Sequence, residues 1–387
     1  MKMRQLRSIG AGILSFLLIS SMGYAAADRE VRLSELENQM KQVGTETEMG
    51  TFGARTALAR PNVDGKNWFF TFDLLFWRTK VGGTDYAYTD NDVFAALPHK
   101  GRKKHIEFDW DWGLRFGLGY NFEHDGWDLQ AQYTWYDTSG SDSTRAGLNS
   151  SVIPLKGSAF ITNDPATPET ESPFINCASA KSMFDFEYNN IDLELGRDFY
   201  VSSTLSLRPF WGLKSAWIDQ KQTTRYTGGS TYNLDNIAII ALGLGGNTVH
   251  IKESCDFWGL GPRTGVDTRW YMGNGISIFG NISGALLFGY FNVDHKERFS
   301  LRESSRIHLH ANRHAFSPTV QFQMGLRYDT YLHNDRHHIS VGLGFEGQYW
   351  WRQNQMLRID DFEELKYERH SEDLAFYGIT GDIKFDF

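Results

Sequence analysis

Two groups of residues in this sequence have types and spacings that could do chemistry. The larger is a series of charged side chains set at alternate positions within apolar runs. It comprises Asp73, then Asp109, Asp111 and Arg115, then Asp128, then Asp192 and Glu194. Arg208 and Lys214 follow, then Arg263, Asp267 and Arg269, then Arg327 with Asp329, Glu346, and finally Asp382 with Lys384. Charges at period two share one face of a strand. If that face lines the inside of a ring of strands, it makes a polar path whose field favours ions and polar solutes over apolar ones. The second to fourth runs are mainly acidic, whereas the fifth and sixth contribute Arg208, Lys214, Arg263 and Arg269, so opposed walls and a transverse field are expected. The smaller group is Asp294, His295, His308, His310 and His314, an acid and imidazoles in one connection that a hydrolase could use at its rim. No spacing fixes a base beside a water, so these are read as solvated loop histidines. No catalytic role, metal or cofactor is assigned, and the chain is not expected to be an enzyme.

The elements that must position the charges follow from the same alternation. Between 108 and 121, Phe108, Trp110, Trp112, Leu114, Phe116, Leu118 and Tyr120 take every even position, and polar or glycine residues take every odd one. Strict period two excludes a helix and specifies a strand with one apolar face. The pattern recurs ten times, from Trp68, Phe70, Phe72, Leu74 and Phe76 to a closing run through Tyr377, Ile379, Ile383, Phe385 and Phe387. Near 184–197 the phase slips, from Phe184, Phe186 and Tyr188 to Ile191, Leu193 and Leu195, which predicts a bulge at Asn189 and Asn190. Pro209 and Pro262 fall on the apolar phase and call for local bulges of their own.

Connections alternate long (80–107, 137–182, 219–256, 292–315, 352–372) with short (122–126, 198–204, 272–275, 330–337). That asymmetry, with strands long enough to cross a bilayer at a tilt, predicts an all-β transmembrane antiparallel up-and-down barrel of about ten strands, twelve being the alternative count. A soluble sandwich would not explain it. Aromatics make up 15% of the chain, as girdles at two membrane interfaces require. Ten strands lie closer to barrels filled by side chains than to those with an open channel. Glycines on the charged phase, such as Gly113, Gly117, Gly119, Gly259 and Gly342, leave room and favour a pore over a plugged structural or adhesive surface barrel.

Residues 1–27 read as a secretory signal, with Lys2, Arg4 and Arg7, an uncharged run from Ile9, and Ala25, Ala26 and Ala27 at its end. Its removal takes away three basic residues and no acidic one, so the formal charge falls from −8 to −11. Nucleic acid is therefore excluded as a partner. Residues 28–66 are expected to be a short periplasmic helix, with Leu33, Leu36, Met40 and Val43 at helical spacing, followed by a linker; residues 67–387 form the barrel. The run Ile237–Leu242 is too apolar to stand in water. Exported, Cys177 and Cys255 would meet an oxidising compartment and are expected to form a disulfide.

The sequence resembles the major outer-membrane protein family first described in Legionella and also found in environmental chlamydiae. The resemblance rests on WFFTFDLLFWRTKVGGTDYAYT, LRPFWGLKSAWIDQ, DFWGLGPRTGVDTRWYMGNGISIFGNISGALLFGY, VGLGFEGQYWWRQNQ and the closing FYGITGDIKFDF. It implies residence in the outer-membrane lipid, passage of ions or small polar solutes, and recognition of the terminal Phe387 by the barrel-assembly machinery. A homo-oligomer is consistent with it, and it transfers no catalytic motif.

Overall fold

A computed structural model describes residues 67–91, 100–122, 126–147, 150–156, 174–202, 204–228, 230–231, 248–300, 306–332, 337–361 and 366–387. The signal segment, the expected helix and linker over 28–66, and the apolar run at 237–242 lie outside the described residues.

The alternating runs form ten long strands: β1 (Trp68–Val81), β2 (Trp110–Asn121), β3 (Trp127–Arg145), β4 (Ser179–Arg197) and β5 (Leu205–Thr227), then β6 (Thr248–Gly273), β7 (Ile276–Phe299), β8 (Arg313–Leu332), β9 (His337–Asn354) and β10 (Glu372–Asp386). Each pairs antiparallel with the next. β10 closes on β1 with Asp382 opposite Asp73, and Phe387 N donates to Trp68 O at 3.0 Å. Over the stretch where all ten strands pair, closure leaves no free edge. No helix occurs among the described residues. The tightest short connection is Asn274–Gly275, where φ of 51° and 79° gives the turn that an Asn-Gly pair favours between two strands.

The outward face carries a broad apolar band. Its members include Trp68, Trp112, Leu118, Trp211, Phe288, Met324 and Leu343, all exposed. Trp135, Trp217 and Trp258 mark its far edge. Beyond them β3 to β7 continue, and the outward positions become polar: Glu187, Asp219, Lys221, Lys252, Asp256 and Lys296.

Here the structure corrects the expected bulge. β4 keeps a single register with both β3 and β5 through Asn189 and Asn190. Phe184, Phe186 and Tyr188 point inward while Ile191 and Leu193 point outward. Below the band's edge the apolar environment is outside; above it the barrel's own interior is apolar, so the hydrophobic phase inverts on a regular strand. The prolines likewise produce no register shift. Pro209 stands one residue past the end of the β4–β5 pairing, and the β6–β7 ladder skips Gly261 and Pro262 and resumes in register at Arg263.

Candidate functional site

The inward face of the ten strands is the candidate site, and its charges are paired directly. Arg115 lies beside Asp73 in the β1–β2 register and donates from Nη1 to Asp73 Oδ2 at 3.0 Å. It also reaches to β9, donating from Nη2 to Glu346 Oε1 at 2.7 Å. Glu346 accepts further from Thr380 Oγ1 and Gln321 Nε2, each at 2.8 Å. Arg263 Nη1 lies 2.8 Å from Asp192 Oδ2 and 2.7 Å from Glu194 Oε1, and Lys214 Nζ adds 3.2 Å to Asp192. Arg208 reaches β3, where Asp128 receives both Nε and Nη2, and Nη1 lies 2.7 Å from Asp267. Nearer the short turns, Arg327 pairs with Asp382 at 2.5 Å and Arg269 lies 3.8 Å from Asp329. His338 bridges Asp329 at 3.2 Å and Asp386 at 2.8 Å.

The two expected walls therefore interdigitate. Guanidinium groups from β5 and β6 are long enough to reach the carboxylates of β3 and β4, and in a barrel this narrow they meet them without an intervening layer of water. The glycines do not open the interior either. A Cβ at Gly119 would lie 2.1 Å from Phe69, one at Gly196 2.4 Å from Arg208 and one at Gly342 2.1 Å from Asp382. Each glycine is a recess filled by a neighbour's side chain.

Above the ion pairs sits an aromatic layer that the reading of the sequence did not single out. Trp77, Tyr136, Tyr188, Trp350 and Phe376 are all buried, with ring centroids of Tyr188 and Phe376 5.0 Å apart. Trp77 is anchored by its Nε1, which donates to Thr380 Oγ1 at 3.1 Å. Trp77 and Trp350 sit on the charged phase of their strands, a signal visible in the alternation. Loop residues cap this layer. Ile106, Phe108 and Val152 are buried, and Phe108 packs edge-on to Phe184 at 5.5 Å.

One buried ion pair ties a loop into the mouth. Lys156 Nζ lies 2.6 Å from Glu253 Oε2 and donates to Gln222 Oε1 at 2.6 Å. His295 lies beside Glu253 and 2.7 Å from Glu297, which also accepts from Tyr367 Oη. Despite its burial, His295 is pushed up to about 9 by these two carboxylates, and Glu253 is held down at about 2 chiefly by Lys156.

Most of the expected lining residues thus face inward in paired clusters. Asp109 does not: it precedes β2 and is exposed, because Phe108 turns inward over the mouth and breaks the alternation. Asp111 accepts from Thr138 on β3. The four histidines do not form one group: His295 and His314 stand apart from His308 and His310. β7 runs to Phe299, so His295 points into the barrel while His308 and His310 are exposed. The expected disulfide is also corrected: both cysteines are free and buried. Cys177 stands just above β4, beside the outer end of β5 at Thr227, whereas Cys255 pairs with Gln220, seven residues further down. At the strand rise this is roughly 23 Å along the wall, beyond any disulfide span.

Residues 61–387 match the family model described as the Legionella pneumophila major outer membrane protein precursor. No curated protein matches the sequence. Among solved structures, the outer membrane protease OmpT of Escherichia coli is 11% identical with a TM-score of 0.38, the alignment covering 86% of this chain and 100% of that one. The Pseudomonas putida toluene transporter TodX is 10% identical with a TM-score of 0.26, covering 87% and 94%. A Pseudomonas aeruginosa FadL homologue is 6% identical with a TM-score of 0.24, covering 83% and 89%.

Proposed function

The chain belongs to the Legionella major outer membrane protein family and resides in the outer membrane, and from that premise we propose that it is a porin-like barrel passing ions and small polar solutes through its charged lumen. The observation that carries this reading is the series of ionisable groups running through the interior from His338 and Asp386 to Arg115 and Glu346. Buried ion pairs often leave a protein less stable, by about 1–4 kcal/mol, than well-packed apolar residues of similar volume. A barrel with only a structural role would do better with an apolar filling, whereas a path for ions needs groups that replace water. Carboxylates outnumber cations along it, so the expected preference is weakly cationic.

The aromatic layer of Trp77, Tyr136, Tyr188, Trp350 and Phe376 favours a second reading, in which the lumen stays closed and the protein is a structural or adhesive surface barrel. Under the first reading that layer must move for conduction. Planar-bilayer recording of refolded protein separates the two, with Tyr188→Ala and Phe376→Ala opening the layer. The porin reading expects wild-type openings and larger ones in the variant. Full refolding with silence from both, at every voltage, leaves only the structural reading.

A further inference from the structure

Outside the apolar band, the strand Arg306–His310 pairs antiparallel with the outer end of β7. The register sets His310 opposite Asp294, Leu309 opposite His295 and His308 opposite Lys296. Successive side chains leave opposite faces of a strand. His295 is buried inside and Leu309 packs against the same core, so Asp294, His308 and His310 share the outer face. The ladder holds this register firmly, since Ala311 N donates to Val293 O at 2.9 Å just beyond it.

On that face the three side chains converge. The rings of His308 and His310 have centroids 4.2 Å apart, and His310 Nδ1 touches Asp294 Oδ1. One ligand atom from each residue lies within 4.8 Å of the other two. Asp294 Oδ1 is shielded from solvent and forms no hydrogen bond of proper geometry, while Oδ2 accepts from Lys296 Nζ at 3.4 Å. An imidazole nitrogen and a carboxylate oxygen thus meet on this face, both of them groups that ligate a divalent cation.

The geometry points to a surface site for a divalent cation of the Zn²⁺ class, which we propose is held by Asp294, His308 and His310. Two imidazoles and one carboxylate oxygen form the kind of three-residue donor set that binds Zn²⁺ with a water in the fourth position. Ca²⁺ requires six or more oxygen ligands and Mg²⁺ an octahedron of them, which this set does not offer. Lys296 supplies the outer hydrogen bond that orients the carboxylate, as groups behind metal ligands commonly do. Its positive charge also weakens the site relative to one built from thiolates. His314 is excluded from the set: it lies on β8 against Tyr290, with ring centroids 4.9 Å apart.

Untagged full-length protein, refolded in detergent and stripped with chelator, is titrated calorimetrically with ZnCl₂. One equivalent should bind, MgCl₂ should give no matching heat, and the zinc absorption edge should report two imidazole nitrogens. In His308→Gln/His310→Gln affinity should fall at least about tenfold, the loss that even an outer-shell substitution can cause. Both substituted positions are exposed, and preserved heat-modifiable gel mobility verifies the fold. Absence of binding to folded wild type, or affinity unchanged in the folded double variant, overturns the assignment.

Discussion

Arg115 on β2 and Glu346 on β9 meet across the interior, Nη2 to Oε1 at 2.7 Å, with the Arg115 side chain 6% exposed and the Glu346 side chain fully buried. Because Arg115 also neutralises Asp73, Arg115→Met leaves two carboxylates without their shared cation. Breaking a buried pair from one side costs about 3–5 kcal/mol. The urea midpoint of the folded barrel should drop accordingly. Arg115→Met combined with Glu346→Gln should recover part of the loss, since Gln still serves Thr380, Gln321 and Gln348. An equal or larger loss in the double variant would show that the pair is not coupled.

The Lys156 latch carries a pH signature outside the membrane span. The folded value of His295 is raised from 6.5 to about 9 by Glu253 and Glu297. Its contribution is therefore complete below about 6.5, declines as pH rises, and is gone above about 9. Lys156 is shifted downward by burial, with the opposite sign, so the comparison must be made against a variant that keeps it. Protection of the 151–156 amides, taken relative to the intrinsic exchange rate at each pH, should fall between pH 7 and 10 in the wild type. In His295→Gln protection should be low already at pH 7 and change less across that range.

Cys177 and Cys255 should remain thiols. The monomer is expected to migrate identically with and without reductant, and denatured protein should take up two equivalents of alkylating agent. Native protein should react slowly, because burial pushes the Cys177 thiol up and leaves little thiolate. A faster non-reduced band would restore the internal bridge.

Phe387 follows β10 directly, with its ring stacked on Phe385, centroids 5.8 Å apart, and exposed on the outer face. We expect Phe387→Asp to leave export intact and hold the protein in the periplasm, measured by membrane fractionation with a periplasmic marker. Normal insertion of that variant would remove the residue's assembly role.

Much of the architecture was legible because lipid-facing strands write their environment into every second residue: ten strands, their order of connection and the inward phase of most charges follow from alternation alone. Legibility fails where the environment changes along a strand. Phe184 to Leu195 reads as a bulge because the apolar side moves from inside to outside while the backbone stays regular. Asp109 leaves the inward phase because Phe108, on the apolar positions of the sequence, folds inward over the mouth. Lys156 lies in a connection without periodicity, so nothing in its neighbourhood pointed to Glu253. Contacts between Arg263 and Glu194 depend on the barrel's narrowness and on side-chain reach, which period two does not encode.

That last contact gives the test of the lumen's electrostatics. Arg263 binds Asp192 and Glu194 together, and Lys214 shares only Asp192. In Arg263→Gln, Asp192 keeps a cation, whereas Glu194 retains only Arg208 at 3.4 Å. Net negative charge in the lumen rises by one, so under the porin reading the reversal potential in a salt gradient should move towards the cation value. Removing one partner of a buried pair should also lower stability by about 3–5 kcal/mol, so selectivity is compared only for samples with preserved heat-modifiable mobility. Glu194→Gln should shift the reversal potential the opposite way. If both folded variants conduct with the wild-type reversal potential, ions do not pass this cluster, and the conducting path lies elsewhere.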